Sequence, residues 1–131
     1  MKRSPRLVVL LLAYAVASLV HFTHNAEYLP DYPGLPRTWT REGVYFAWLA
    51  MTAIGFAGWL LLARGAVLAG LSALAVYAAL GLDSLGHYVV APASAHSLAM
   101  NSTILLEVTA AALVMVEVVR LMVGCLRRRE A

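Results

Sequence analysis

Residues 43–82 read GVYFAWLAMTAIGFAGWLLLARGAVLAGLSALAVYAALGL, and Arg64 is the one charged side chain among them. The runs on either side of Arg64-Gly65, 43–63 and 66–82, contain no proline and approach the roughly 20 residues that a helix needs to cross a bilayer core. Two residues between them leave room for a tight reversal only, which predicts an antiparallel helical hairpin. Outward from this hairpin, apolar runs 7–20 and 98–123 repeat the pattern at both ends of the chain. The run at 7–20, preceded by Lys2, Arg3 and Arg6, also fits a secretory signal with Ala15-Val16-Ala17 as a cleavage site, and we read it as a retained span.

The expected fold is all-α: one domain over 1–131, an antiparallel four-transmembrane-helix bundle. Its spans fall at about 7–28, 43–63, 66–88 and 97–124, with longer loops at 29–42 and 89–96. The first loop holds Pro30, Pro33, Gly34 and Pro36, which forbid a continuing helix. Composition agrees, since 62% of residues are hydrophobic and 13% charged, against about 45–50% and 25% in soluble domains. The mean hydropathy is +0.77. Such a chain has the lipid bilayer as its first partner.

The net charge of +3 does not imply nucleic acid, because the basic residues sit at the ends of apolar runs. Lys2, Arg3, Arg6, Arg64, Arg120, Arg127, Arg128 and Arg129 lie on one side of the expected membrane, and Arg37 and Arg41 on the other. The bias places both termini in the cytoplasm. Trp39, Tyr45, Trp48 and Trp59 suit interfacial anchoring. Cys125, the one cysteine, excludes an intramolecular disulfide and reads as an ordinary apolar residue near a helix end.

The ionisable residues inside the spans need another reason, since each costs about 2.5–3.5 kcal/mol to insert. Tyr14, Ser18, His21, Asn25 and Tyr28 follow helical spacing on one stripe, and His24 and Glu27 lie on the next. Asp83 and His87 are four apart, so a continuing helix would present carboxylate and imidazole together. His96, Met100, Thr103 and Glu107 share a face of the fourth span, and a glutamate that deep needs a partner or a proton. Glu117 has Arg120 three residues on, and an intrahelical ion pair accounts for it. Met100, Tyr14 and Tyr77 read first as packing.

All four histidines fall toward the extracytoplasmic side. Imidazole with carboxylate is the ligand set of zinc, iron and oxidised copper. The leading expectation is therefore a transition-metal site (copper, zinc or iron) drawn from His21, His24, His87, His96, Glu27 and Asp83. Glu107 and Asp83 are the expected catalytic carboxylates of a redox or hydrolytic membrane enzyme. In ligand type alone, Asp83, His87 and His96 resemble the copper sites of membrane monooxygenase subunits, which implies metal chemistry and nothing further.

Three alternatives stand beside it: a metal-free acid–base enzyme acting on a small or lipid-like substrate within the bundle, a subunit of a homo-oligomer or larger membrane complex, and an ion conduit. The conduit is the weakest, since the inner half offers few polar groups. No nucleotide loop, nucleophile elbow or zinc-protease motif is present.

Overall fold

The computed structural model describes residues 4–130, with the side chains of 129 and 130 left out of account. Lys2, Arg3 and the side chain of Arg129 thus lie outside the described residues. Among those described, four long helices pack into one bundle: α1 (Pro5–Glu27), α2 (Arg41–Ala63), α3 (Val67–Leu82) and α5 (Leu98–Glu130), with a short α4 (His87–Val90) before the last. Three segments are long and apolar enough to cross a membrane: Pro5–Glu27, Arg41–Ala63 and Val67–Val90.

Local chemistry sets the ends. Ser4 caps α1, its Oγ accepting from the Leu7 amide, and Pro5 occupies the first helical position, where its missing N–H costs nothing. Thr40 caps α2 through the Gly43 amide. At the expected reversal, the Ala66 amide donates to the Leu61 carbonyl and the Gly65 amide to that of Leu62, with Gly65 at φ +85°. That pair of bonds is a Schellman motif, and glycine takes its left-handed residue without steric penalty.

The long helices alternate in direction. Ser4 meets Glu117 while His21 meets Thr103, so α1 and α5 are antiparallel, and contacts of Glu27 with Tyr45 and of Ser18 with Trp48 set α2 against α1 in the same way. Close approach of α2 and α3 depends on small residues, because a Cβ on Gly58 would lie 3.1 Å from the Gly70 carbonyl oxygen and one on Gly55 would strike the Tyr77 ring. In the core, Tyr14 stacks on Tyr77 with centroids 4.4 Å apart and donates to the Tyr77 carbonyl at 2.9 Å. Both tyrosines are packing residues, as expected.

Large apolar side chains cover the outside: Phe46 is 73% exposed and Phe56 62%. A surface of this kind is matched to hydrocarbon rather than water. At the end that carries Arg64, Glu117 is fully buried, receives bonds from Arg120 and Ser4, and lies 3.5 Å from Arg6. The ion pair read from the sequence thus also joins α1 to α5.

Two departures from the sequence reading matter for the site. The third span does not continue as an α-helix through Asp83 and His87, because residues Asp83–Gly86 form a 3-10 turn. Four residues advance about 120° around a 3-10 axis instead of about 40° around an α-helix. Asp83 is accordingly exposed while His87 is buried, and although both border one cavity, the expected carboxylate–imidazole pair does not form. Glu27 is also turned away from the histidines. It accepts two bonds from Arg41, at 2.7 and 2.9 Å, and one from Tyr45 at 2.8 Å on the exposed side of the bundle.

Candidate functional site

The apolar stripe rule places Tyr14, Ser18, His21 and Asn25 on the inward face of α1, and all four are buried. From α5, Thr103 and Glu107 face the same interior, and the turn after α3 adds Ser84 and His87. The loop 91–97 adds His96. This loop is held by Asn101, which donates to the carbonyls of Ala93 and His96 and accepts from Tyr88. Met100 is buried packing beside Tyr32 and Ile104.

Imidazole rings meet here edge to face: His21 and His87 have centroids 5.3 Å apart, and His87 and His96 6.1 Å. His24 stands to one side and joins them through Tyr32, whose hydroxyl is 2.9 Å from His24 Nδ1 and whose ring contacts His24, His87 and His96. Tyr32 is 4% exposed, and burial pushes its hydroxyl up to about 12, so it serves as the donor to His24. It comes from the proline loop, where Gly34 at φ +77° lets the chain press against Val90. Neither Tyr32 nor Ser84 is singled out by the sequence. The one signal for Tyr32 is an aromatic residue set in a stiff, proline-rich loop.

The deepest group is Glu107, fully buried. Ser84 Oγ donates to its Oε2 at 2.6 Å, and His21 Nε2 lies 3.7 Å from the same oxygen. The tautomer of His21 follows from its other nitrogen. When Thr103 gives its own hydrogen to the Met100 carbonyl, its oxygen accepts from His21 Nδ1–H, and Nε2 then presents a lone pair to Glu107. One proton therefore serves Glu107 and His21 together.

A cavity of about 690 Å³ opens between α1, α2 and the proline loop. His21, Asn25, Asp83, Ser84 and His87 form its polar wall, and residues such as Phe22, Trp39, Val44 and Met51 its apolar ones. Several buried polar atoms here have no protein partner: Asn25 Oδ1, His87 Nδ1, His96 Nε2 and Glu107 Oε1. Native proteins leave few such atoms, so four of them among neighbouring residues set this region apart from the rest of the interior.

The structure thus brings His21, His87, His96 and Glu107 together, keeps His24 at the margin through Tyr32, turns Glu27 to Arg41, and leaves Asp83 on the cavity wall unpaired with His87. Among the described residues, no group of three or more His, Cys, Asp or Glu side chains is arranged to hold a metal ion. Comparison with protein families, curated proteins and solved structures returns no match, so the chemistry rests on this geometry.

Proposed function

We propose that this chain is a four-span membrane protein whose buried carboxyl–imidazole cluster performs acid–base chemistry on a lipid-like molecule held in the α1–α2 cavity. In this reading α5 is the fourth span. Its lipid-facing residues include Leu105, Leu106, Leu113 and Val116, all exposed in the isolated bundle. The charge bias puts both termini in the cytoplasm and the cluster beneath the outer leaflet.

The observation that carries the reading is the Ser84–Glu107–His21 arrangement. Ser84 and His21 line the cavity, and Glu107 stands behind both. A proton leaving a bound molecule passes to Ser84 Oγ as Ser84 gives its own hydrogen to Glu107 Oε2. Reversal of the same transfers returns a proton to another carbon or oxygen of the molecule. Glu107 passes its own proton to His21 Nε2 as it takes the one from Ser84, so the pair gains one positive charge, held on the His21 imidazolium, while the bound molecule becomes the anion it faces. The apolar walls exclude water and favour an amphiphile, as mostly apolar cavities with a few polar groups do.

The test is deuterium transfer. The full chain, reconstituted in nanodiscs, is incubated in heavy water with a total membrane-lipid extract, and the lipids are read by mass spectrometry. Wild-type protein should place deuterium in a lipid species that empty nanodiscs leave unlabelled, and Glu107→Gln should abolish it. Labelling equal in wild type and Glu107→Gln defeats the reading.

A transition-metal site remains the second reading, favoured by the unpartnered His87 Nδ1 and His96 Nε2 on neighbouring rings. Elemental analysis of protein reconstituted with copper, zinc or iron decides it. A stoichiometric metal lost in His87→Phe and His96→Phe supports it, and a substoichiometric one rejects it.

A further inference from the structure

The cavity's unmet hydrogen bonds and its shape specify the class of molecule it takes, an inference that rests on the acid–base reading of the same site. Asn25 Oδ1 and His87 Nδ1 are both buried, both lack partners and both belong to residues of the cavity wall. Asn25 Nδ2 stands 3.2 Å from His87 Nε2. If the amide donates there, His87 carries its hydrogen on Nδ1, and these two wall residues hold one unpaired acceptor, Asn25 Oδ1, and one unpaired donor, His87 Nδ1–H, beneath the cavity surface. If the amide is turned over, both roles exchange, and the two residues again hold one donor and one acceptor. A hydroxyl group, which donates once and accepts, satisfies the pair in either case.

Charge narrows the class further. Among the described residues the cavity lining includes Asp83 but no lysine or arginine. A phosphate or carboxylate head would lie there without a counter-charge, at a heavy desolvation penalty.

The remaining question is where an alkyl chain would run. A second cavity of about 350 Å³ lies on the same α1–α2 seam, bordered by Val8, Leu11, Leu12, Ala15, Phe56 and Trp59. Met51 borders the first cavity and Thr52 the second; the two are separate, and the hydrogen bond from Trp48 Nε1 to Ser18 Oγ crosses the seam between them, so a chain reaching the second passes over this contact. From His21 to Leu11 is ten residues of helix, about 15 Å of rise. That is the depth of one leaflet in a core of about 30 Å.

We propose that the site binds a neutral, hydroxyl-headed single-chain lipid, with its hydroxyl on Asn25 and His87 and its chain running down the α1–α2 seam toward Leu11 and Ala15. The molecule enters sideways from the outer leaflet, and no water-filled route is needed.

The test uses the full chain in detergent and native mass spectrometry with four probes: monooleoylglycerol, oleate, hexadecyl phosphate and hexadecyltrimethylammonium. Monooleoylglycerol should bind at least about tenfold more tightly than the other three, and Asn25→Leu or His87→Phe should each reduce its affinity by about tenfold, the effect of a buried group left unpaired. Equal or tighter binding of a charged probe to wild type overturns the proposal without need of any variant. For the chain, a monoacylglycerol brominated near its tail end should quench Trp59 in a Trp39→Phe, Trp48→Phe protein. Absence of quenching while the lipid is bound overturns the seam assignment. Selective monooleoylglycerol binding without deuterium transfer upholds this proposal and sinks the acid–base reading alone.

Discussion

Ser84 Oγ reaches from the 3-10 turn after α3 to within 2.6 Å of Glu107 Oε2 in the interior of α5. The bond links the cavity wall to a carboxyl that lies behind it, so the two residues should respond differently to substitution. Ser84→Ala removes one donor from a buried acceptor and should destabilise the protein by about 1–3 kcal/mol. Glu107→Gln keeps an oxygen to accept from Ser84 and should cost about 1 kcal/mol or less, yet it eliminates proton transfer. Thermal unfolding in detergent, read beside the deuterium assay, separates these effects. A Glu107→Gln protein that is folded and fully active contradicts the arrangement.

Gly81 gives a prediction about packing alone. A Cβ at this position would overlap the hydroxyl and outer ring of Tyr14, which is itself fixed by its bond to the Tyr77 carbonyl. Gly81→Ala should therefore destabilise by about 1–3 kcal/mol, as overpacked cores do. Tyr14→Phe alone should cost about 1 kcal/mol for the lost hydrogen bond. Together they should cost less than their sum, because the second substitution removes the nearest clashing atom. Additive unfolding free energies in this double-mutant cycle would show that the two residues do not press on each other.

These contacts also show what can be read from the sequence and what cannot. The long apolar helices are legible because a lipid solvent would impose length and apolarity on any crossing segment, and three segments meet that requirement. The α2–α3 hairpin is legible because Arg64-Gly65 permits one kind of turn, and the buried stripe Tyr14, Ser18, His21, Asn25 follows from helical period alone. Where the helix period itself changes, the reading breaks down. Asp83 and His87 separate because a 3-10 turn intervenes, and Glu27 is captured by Arg41 from beyond the loop. Tyr32 is hidden for a related reason. Its place among the histidines depends on the path of the proline loop, set by Gly34 against Val90, which no periodicity encodes.

Tyr32 also predicts a pH dependence. Burial holds its hydroxyl at about 12 in the folded protein, against the ordinary tyrosine value near 10 in the unfolded chain. Below about pH 10 both states keep the proton and the contribution to stability is complete. As pH rises from about 10 toward 12, the unfolded chain loses its proton first, so the folded state is progressively disfavoured. The denaturation midpoint should fall over this window more steeply in wild type than in Tyr32→Phe. Equal slopes would mean that the hydroxyl is not held in its buried, protonated form.

The charge bias predicts orientation, and the chain carries a built-in probe for it. Cys125 is the one cysteine in the sequence and is partly accessible near the end of α5, at the end of the bundle that holds Arg64 and Glu117. If that end faces the cytoplasm, a membrane-impermeant maleimide should label Cys125 in inside-out vesicles and not in intact cells. Ser94 lies exposed in the 91–97 loop at the opposite end, so Ser94→Cys in a Cys125→Ser background should give the reverse pattern. The pair is needed because one unlabelled cysteine could reflect lipid cover alone, whereas opposite patterns at two ends of one bundle fix its direction. Labelling of both positions from the same side would remove the span assignment of α5. Labelling reversed at both would keep the four spans but place the histidine cluster beneath the inner leaflet, and the lipid it receives would then come from the cytoplasmic leaflet.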